Sequence, residues 1–408
     1  MKILQINNFH YRRGGSEAVY FNTAALLKQK GHKVFFFSKK DDNSLPYEFS
    51  AYFPQAINYR KITFLSKLQS VSTFLYNKEA YKNINAYIRR IKPDIAHVHL
   101  FMGGLTLSAL KALKENNIPV VHSVHDYRLI CPAYLFLDGK NNICERCKTG
   151  NYLNCIIHRC SENFLTQSAI LALDAYARKY LKKPIDYINE FLFVSNFAKQ
   201  KHIYFDSSFS SKSSVIYNFM PGISEIDCSK KNDGYLLFLG RLSREKGIVT
   251  LLESLAGTNH KLKVAGTGPL FDMLKSMATN NIELLGYKSG DELKHIIRQA
   301  RFIVVPSEWY ENNPMSVIEA LAYGKPVIGS AIGGIPEIVV DGKTGFLFEP
   351  HDKEALKEKI DLAMAMDENK YMAMSENAKA FAHENFSPEA HYKNLIELYD
   401  KLVNKTKH

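Results

Sequence analysis

The chain has 408 residues, too many for one ordinary core, so two domains are expected. With 46% hydrophobic and 23% charged residues the composition is globular rather than disordered, and no stretch reaches the roughly 18 uncharged apolar residues that a membrane span needs. The net charge of +12 is uneven: 30 Lys and Arg face 15 Asp and Glu up to Asn218, against 23 and 26 beyond it. A basic first half points to an anionic partner (lipid phosphate, a membrane surface or nucleic acid), unless it reflects only a basic proteome.

The chain opens on a strand, Lys2 to Ile6. Polar and basic residues follow it, not the long apolar core of a secretory signal, so a cytoplasmic protein, free or peripheral on the inner face of the cell membrane, is expected. Arg12-Arg13-Gly14-Gly15-Ser16-Glu17 leads into a helix predicted from Ser16 to Lys30, with Ser16 as cap and Gly31 as stop. Glycines there admit close backbone approach, and a helix N-terminus favours an anion. The alternative is a tight strand–helix turn with no ligand. A dinucleotide fingerprint would need G-x-G-x-x-G, which is absent.

Lys33 to Ser38 is the second strand. The segment Tyr59 to Arg90 then mixes Phe64, Leu65, Leu68, Phe74, Leu75, Tyr76, Tyr81 and Tyr87 with Lys61, Lys67, Lys78, Lys82, Arg89 and Arg90. That pattern suits a helix lying on a membrane, or equally a core-facing helix with a solvated basic face. Asp94 to Val98 and Val120 to His125 are further strands. His97 and His122 lie inside them and read as structural. His99 and His125-Asp126 lie at the carboxyl ends, where open α/β sheets bind ligands.

Cys144, Cys147, Cys155 and Cys160 pack four thiols into seventeen residues, with His158 among them and Cys131 close by. In a cytoplasmic chain such clustering reads as metal before disulfide, and Cys144-Glu145-Arg146-Cys147 is a good half-site for tetrahedral zinc. Structural zinc, an iron–sulfur cluster and unligated thiols all remain open.

Phe191 to Ser195 and Ser214 to Tyr217 close the first series of strands. The joint is expected between Asn218 and Asp233, around Pro221-Gly222. A second series runs through Tyr235 to Leu239, Lys261 to Ala265, Ile282 to Leu284, Phe302 to Val305, Pro326 to Ser330 and Thr344 to Phe348. Strands alternating with helical patterns predict parallel sheets. After the first of these strands come Gly240-Arg241, then Lys246-Gly247; a guanidinium fork and an ammonium suit a diphosphate. After the fourth come Glu311-Asn312-Asn313-Pro314-Met315-Ser316-Val317-Ile318-Glu319. Pro314 suits the start of a helix, and the Ser316 and Val317 amides in its first turn are expected to be free for a phosphate. The bland reading is a loop carboxylate at Glu311 and a solvated one at Glu319.

Together these segments resemble the retaining family-four glycosyltransferases. The E-x7-E element matches at Glu311 and Glu319, G-R-x4-K-G at Gly240, Arg241, Lys246 and Gly247, and the G-G-x-E turn at Gly14, Gly15 and Glu17. Ala265 to Pro269, Leu285 to Tyr287, Gly333 to Glu337 and Gly345 to Leu347 fall in the family's order. Asn218-Phe219-Met220 departs from the asparagine-glycine of many members.

The resemblance implies the GT-B architecture, two doubly wound Rossmann-like α/β domains facing across a cleft. The first would be an acceptor-side domain, 1–218, with a cysteine-rich insertion at about 127–163. The second would be a nucleotide-sugar-binding domain, 219–387, and a last helix, 388–408, would cross back to the first. It implies catalytic roles for His125, Glu311, Arg241 and Lys246, and donor binding by Gly14, Gly15, Ser316, Val317 and Glu319. His99 and Asp126 fall on the acceptor side. No catalytic metal is implied. The implied reaction is sugar transfer, with retention, from a nucleotide diphosphate sugar to a lipid-linked or polysaccharide acceptor at the inner membrane surface. Capsule, O-antigen or exopolysaccharide assembly is the default setting. The alternatives are a sugar-nucleotide epimerase or phosphorylase of the same architecture, or a non-enzymatic basic membrane-binding protein; no stacking motif or recognition helix supports nucleic acid.

Overall fold

The computed structural model describes residues 1–56, 72–161, 164–226 and 232–407. Twelve strands are described, each four to six residues long except one of three. They are β1 (Lys2–Ile6), β2 (Lys33–Phe37), β3 (Ile95–Val98), β4 (Val120–Val124), β5 (Glu190–Phe193), β6 (Ser213–Val215), β7 (Tyr235–Leu239), β8 (Leu262–Ala265), β9 (Ile282–Gly286), β10 (Ala300–Val305), β11 (Val327–Ser330) and β12 (Gly345–Phe348). They form two parallel six-stranded sheets, ordered β2-β1-β3-β4-β5-β6 and β12-β11-β10-β7-β8-β9.

The chain divides into two compact units, Met1–Ile216 with Tyr392–His408, and Tyr217–His391. In the second unit, alternation along each strand feeds two layers, as the period-2 geometry of a strand requires. Tyr235, Leu237, Ile303 and Val305 join the helices Met315–Ala322 and Glu368–Phe386 on one face. Leu236, Phe238, Phe302 and Val304 join Ile248–Ser254 and Lys353–Met364 on the other. Burial on both faces explains why these strands read as continuous apolar runs.

In the first unit, β1 and β3 are buried throughout beyond Lys2. The final helix, Pro388–Lys407, contributes Leu395, Tyr399 and Leu402 to that unit's core, and its Tyr399 hydroxyl lies 2.6 Å from His97 Nδ1.

In each sheet the strand order reverses once, between β1 and β3 and between β7 and β10. Chains leaving neighbouring strands diverge to opposite faces at such a point and open a crevice at their carboxyl ends. The loops carrying Gly14 and His99 follow β1 and β3, and those carrying Arg241 and Glu311 follow β7 and β10.

Part of the aromatic-basic segment, including Lys61, Phe64, Leu65, Lys67 and Leu68, lies outside the described residues. For the remainder the core-facing alternative holds. The helix Lys78–Ile91 turns Ala80, Ile84, Tyr87, Ile88 and Ile91 inward, so that face is spent on the unit's own core. Among the described residues no helix is long and apolar enough to cross a membrane.

Candidate active site

In the second unit, Gly240 follows β7 and a single 3₁₀ turn, Arg244–Lys246, precedes the helix Ile248–Ser254. Gly247, between them, has φ +66°, and a Cβ there would lie 1.7 Å from the Pro306 carbonyl oxygen. Only glycine lets this turn pack against the end of β10. That packing brings Lys246 Nζ to 2.7 Å from Glu311 Oε1 and to 4.9 Å from the centre of the Trp309 ring. The same Glu311 oxygen accepts from the Ser307 hydroxyl at 2.8 Å. Glu311 is buried; Arg241 stands exposed on the same turn.

The Glu311 backbone is fixed as tightly. Gly334 N–H donates to its carbonyl at 2.7 Å, and Gly333, at φ +63°, passes so close that a Cβ would meet that carbonyl oxygen at 2.3 Å. Asn313 is buried, and its side-chain oxygen accepts from Asn218 N–H at 2.9 Å. Asn218, which opens the Asn218-Phe219-Met220 run that departs from the family's asparagine-glycine, thus helps to hold the loop that carries Glu311.

The helix Met315–Ala322 differs in detail from expectation. Pro314 is its N-cap, with ψ 121°, rather than its first helical residue. The Val317 N–H donates to the Pro314 carbonyl at 3.1 Å, so that amide is spent on closing the first turn and is not available to a phosphate. Ser316 N–H has no backbone acceptor among the described residues. One turn further on, burial pushes the Glu319 carboxyl up to about 7.

In the first unit, the helix after β1 is Gly15–Gln29, capped by Gly14 in extended conformation, not by Ser16. Gly14 and Gly15 are exposed, whereas Glu17 is buried and its Oε1 has no hydrogen-bond partner. A carboxylate oxygen left bare inside a turn is costly, and marks a place where a donor from outside the chain would be accepted.

The histidines form a relay. His99 Nε2 lies 2.9 Å from Gln5 Oε1, and its Nδ1 lies 2.8 Å from His125 Nε2, with the two rings stacked at 8°. With the Gln5 oxygen accepting, His99 carries its proton on Nε2 and uses Nδ1 as acceptor, so His125 donates through Nε2. Burial, with His122 nearby, lowers the His125 pKa to about 3, which keeps this imidazole neutral. The Asp126 Oδ1 accepts from Arg128 N–H at 2.9 Å, and burial raises its pKa. His97 and His122 are structural: His97 bonds Ser123 and Tyr399, and His122 Nδ1 donates to the Val98 carbonyl.

Sequence reasoning missed Ser307, Gln5 and the role of Asn218, none of which stands in a pattern of its own. It also missed an apolar surface. Leu153, Ile157, Phe164, Leu165, Leu173, Tyr180 and Leu181 are exposed, Ile157 by 70% and Leu181 by 79%. Arg159, Lys179, Lys182 and Lys183 are interspersed among them in the sequence.

Comparison with known proteins agrees with this arrangement. Residues 13–221 match the model for Glycosyltransferase Family 4, and residues 223–381 that for Glycosyl transferases group 1. A 42.6 kDa protein of the cps region of Klebsiella pneumoniae is 29% identical over 358 residues, covering 83% of this chain and 87% of its own. The lipopolysaccharide 1,2-N-acetylglucosaminetransferase of Salmonella typhimurium is 33% identical over 173 residues, covering 38% and 45%. Among solved structures, Anabaena HepE in complex with UDP and glucose superposes with a TM-score of 0.66 at 18% identity, covering 98% of this chain and 100% of its own. Two parallel sheets with reversed strand order, chemistry-bearing loops at both reversals and family matches over both halves place this chain in Glycosyltransferase Family 4, among the GT-B glycosyltransferases.

Proposed function

We propose that the chain transfers a sugar from a nucleotide diphosphate sugar to a lipid-linked or polysaccharide acceptor. Anomeric configuration would be retained and no catalytic divalent metal used. The observation that carries this reading is the grouping of Arg241, Lys246, Glu311, the Ser316 amide and Glu319 on the loops that follow β7 and β10. Arg241 and Lys246 neutralise the departing diphosphate, and the helix end at Ser316 adds a donor. Charged hydrogen bonds are worth roughly 1.5–3 kcal/mol each, and more where charge develops away from water. Two cations and a helix end thus supply what a divalent metal supplies elsewhere.

Glu319 accepts hydroxyls of the nucleotide ribose. Glu311, oriented by Lys246 and Ser307, binds the transferred sugar. In the first unit the neutral His125, oriented by His99, serves the sugar near its anomeric centre, and the Gly14–Gly15 turn serves the donor diphosphate. No carboxylate stands out as a covalent nucleophile, which favours a front-face reaction assisted by the leaving phosphate.

Cell-surface glycan assembly (capsule, O-antigen or exopolysaccharide) is supported by the cps-region and lipopolysaccharide relatives, and a uridine nucleotide donor by the HepE complex. The exposed apolar residues between Leu153 and Leu181, with lysines and arginines among them, support an acceptor presented at an anionic membrane surface. Cytoplasmic location, peripheral on the inner face of the membrane, goes with that acceptor.

The test is a panel of radiolabelled nucleotide sugars, incubated in excess EDTA with membrane lipid extract and with polysaccharide primer. One donor should label one acceptor class, with the donor's anomeric configuration in the product by NMR. Isothermal titration that detects no binding of any nucleoside diphosphate would remove the donor site. Turnover of the donor with no acceptor present, giving an isomer, would replace transfer by epimerisation.

A further inference from the structure

Residues 127–161, which follow Asp126, contain little regular structure. They hold one 3₁₀ turn (Arg146–Thr149), one short helix (Leu153–Ile157) and an isolated bridge between Leu137 and Ile143. Tyr134, Phe136, Asn141 and Arg159 all have positive φ, between 46° and 64°. Such conformations persist in non-glycine residues only where the surroundings hold them. At the centre of this segment stand thiols. Cys131, Cys144, Cys147 and Cys155 are buried, and with Cys160 they line one small pocket closed by Pro132, Ala133, Phe136 and Leu137. Cys160 hydrogen-bonds to both Cys144 and Cys155, and none of the five is in a disulfide.

A core of protonated thiols gives a segment of this size little cohesion, because S–H is a weak donor and a small apolar group. The backbone suggests another use. Arg146 N–H points at the Cys144 sulfur, and Ala133 and Phe136 N–H at Cys131. Arg146 Nη1 lies 3.5 Å from Cys144 Sγ. In both Cys144-Glu145-Arg146 and Cys131-Pro132-Ala133 the amide two residues on turns back to the sulfur, an arrangement that supports a thiolate. Cys155 differs: its Sγ lies 3.8 Å from the Ser168 carbonyl, to which it donates. Without Cys155 the spacing is symmetric, with two residues between Cys144 and Cys147 and twelve between each of them and its outer neighbour.

We propose that Cys131, Cys144, Cys147 and Cys160 bind one structural zinc ion as four thiolates, with Cys155 packed beside the site. Among the described residues no group of three or more His, Cys, Asp or Glu side chains is arranged to hold a metal ion, so the proposed site requires the sulfurs to move together on binding. Four thiols bind Zn²⁺ through four Zn–S bonds and release four protons to solvent, leaving a net charge of −2 on the site beside the Arg146 guanidinium. No oxidant or reductant is needed. Four-thiolate zinc is closed to further ligands, so its work is to fold the segment joined to His125-Asp126 rather than to take part in transfer.

The experiment is metal analysis of the full-length protein purified without chelator, together with single cysteine-to-serine variants. The wild type should carry about one zinc per chain, Cys131→Ser and Cys147→Ser should lose most of it, and Cys155→Ser should keep it. Stripping the wild type with a thiol-reactive mercurial and chelator, then reducing it and adding cadmium chloride, should restore the melting temperature and produce a thiolate-to-cadmium absorption band. Less than about a tenth of an equivalent of zinc in the wild type would overturn the proposal, as would iron with inorganic sulfide in its place. Retention of zinc by Cys131→Ser, with loss from Cys155→Ser, would overturn this ligand set.

Discussion

Glu311 and Glu319 are both glutamates of one loop–helix unit, yet their surroundings differ. Lys246 at 2.7 Å and the Ser307 hydroxyl at 2.8 Å hold Glu311 as an oriented carboxylate. Glu319 has no such support, and burial raises its pKa to about 7. The sign follows directly: below that pH it is protonated and, in the ribose-binding role proposed for it, a poor acceptor of two hydroxyls, whereas the carboxylate above it can accept both. Donor KM should therefore fall as pH rises from one unit below 7 to one above, and Glu319→Gln should weaken donor binding and flatten the profile; initial rates against donor concentration check this. Arg241→Ala removes an exposed side chain, so the melting temperature should hold while transfer falls at least roughly 10- to 100-fold, the equivalent of one charged contact. Lys246→Ala behaves differently, because it strips a buried carboxylate of its cation. A loss of about 1–3 kcal/mol in denaturant unfolding of the second unit should accompany the loss of transfer. Wild-type-like rates in the Arg241 or Glu319 variants would take those residues out of the site.

At the scale of elements, the turns are fixed by glycines that nothing else can replace. Gly333→Ala would drive a methyl into the Glu311 carbonyl, so the loop must shift and the carboxylate with it. Its expected outcome is a protein that still folds, melts several degrees lower and has lost transfer; full activity would show that Glu311 does not need this placement.

Most strands were legible because they are apolar runs with a turn behind them; β6, Ser213-Ser214-Val215, is the exception. Helix starts were less so. Gly14 rather than Ser16 caps the first helix, and Pro314 stands outside the helix it introduces. These follow from ψ angles, which composition does not encode. The Val317 amide is spent on the Pro314 carbonyl for the same reason. The helix Lys78–Ile91 is strongly two-faced, and periodicity cannot say whether a core or a membrane receives its apolar side; here the core does. The His99–Gln5 contact joins residues 94 apart in sequence, and no local pattern announces it.

Across the molecule, five histidines among the described residues, each lowered far below its ordinary pKa by burial, set a common acid limit. Burial lowers His10, His122 and His391 to about 4 and His125 and His202 to about 3. In the unfolded chain each takes up a proton near its ordinary value of 6.5, whereas the folded chain refuses it until about 4 or 3. Stability is thus complete above 6.5 and falls as pH drops below it. Glu319 and Asp126, whose pKa values burial raises, act in the other direction. Melting temperature should decline steadily from pH 6.5 towards 4, and a flat profile would mean that these imidazoles are open to water.

The last helix has a consequence for how the protein is made. His97 waits inside β3 for the hydroxyl of Tyr399, 302 residues further along. A ribosome must therefore finish the entire second unit before the first receives its closing piece. The half synthesised earliest is completed last, and a message cut short by even a few dozen codons would release a chain whose later half can fold while its earlier half stays open.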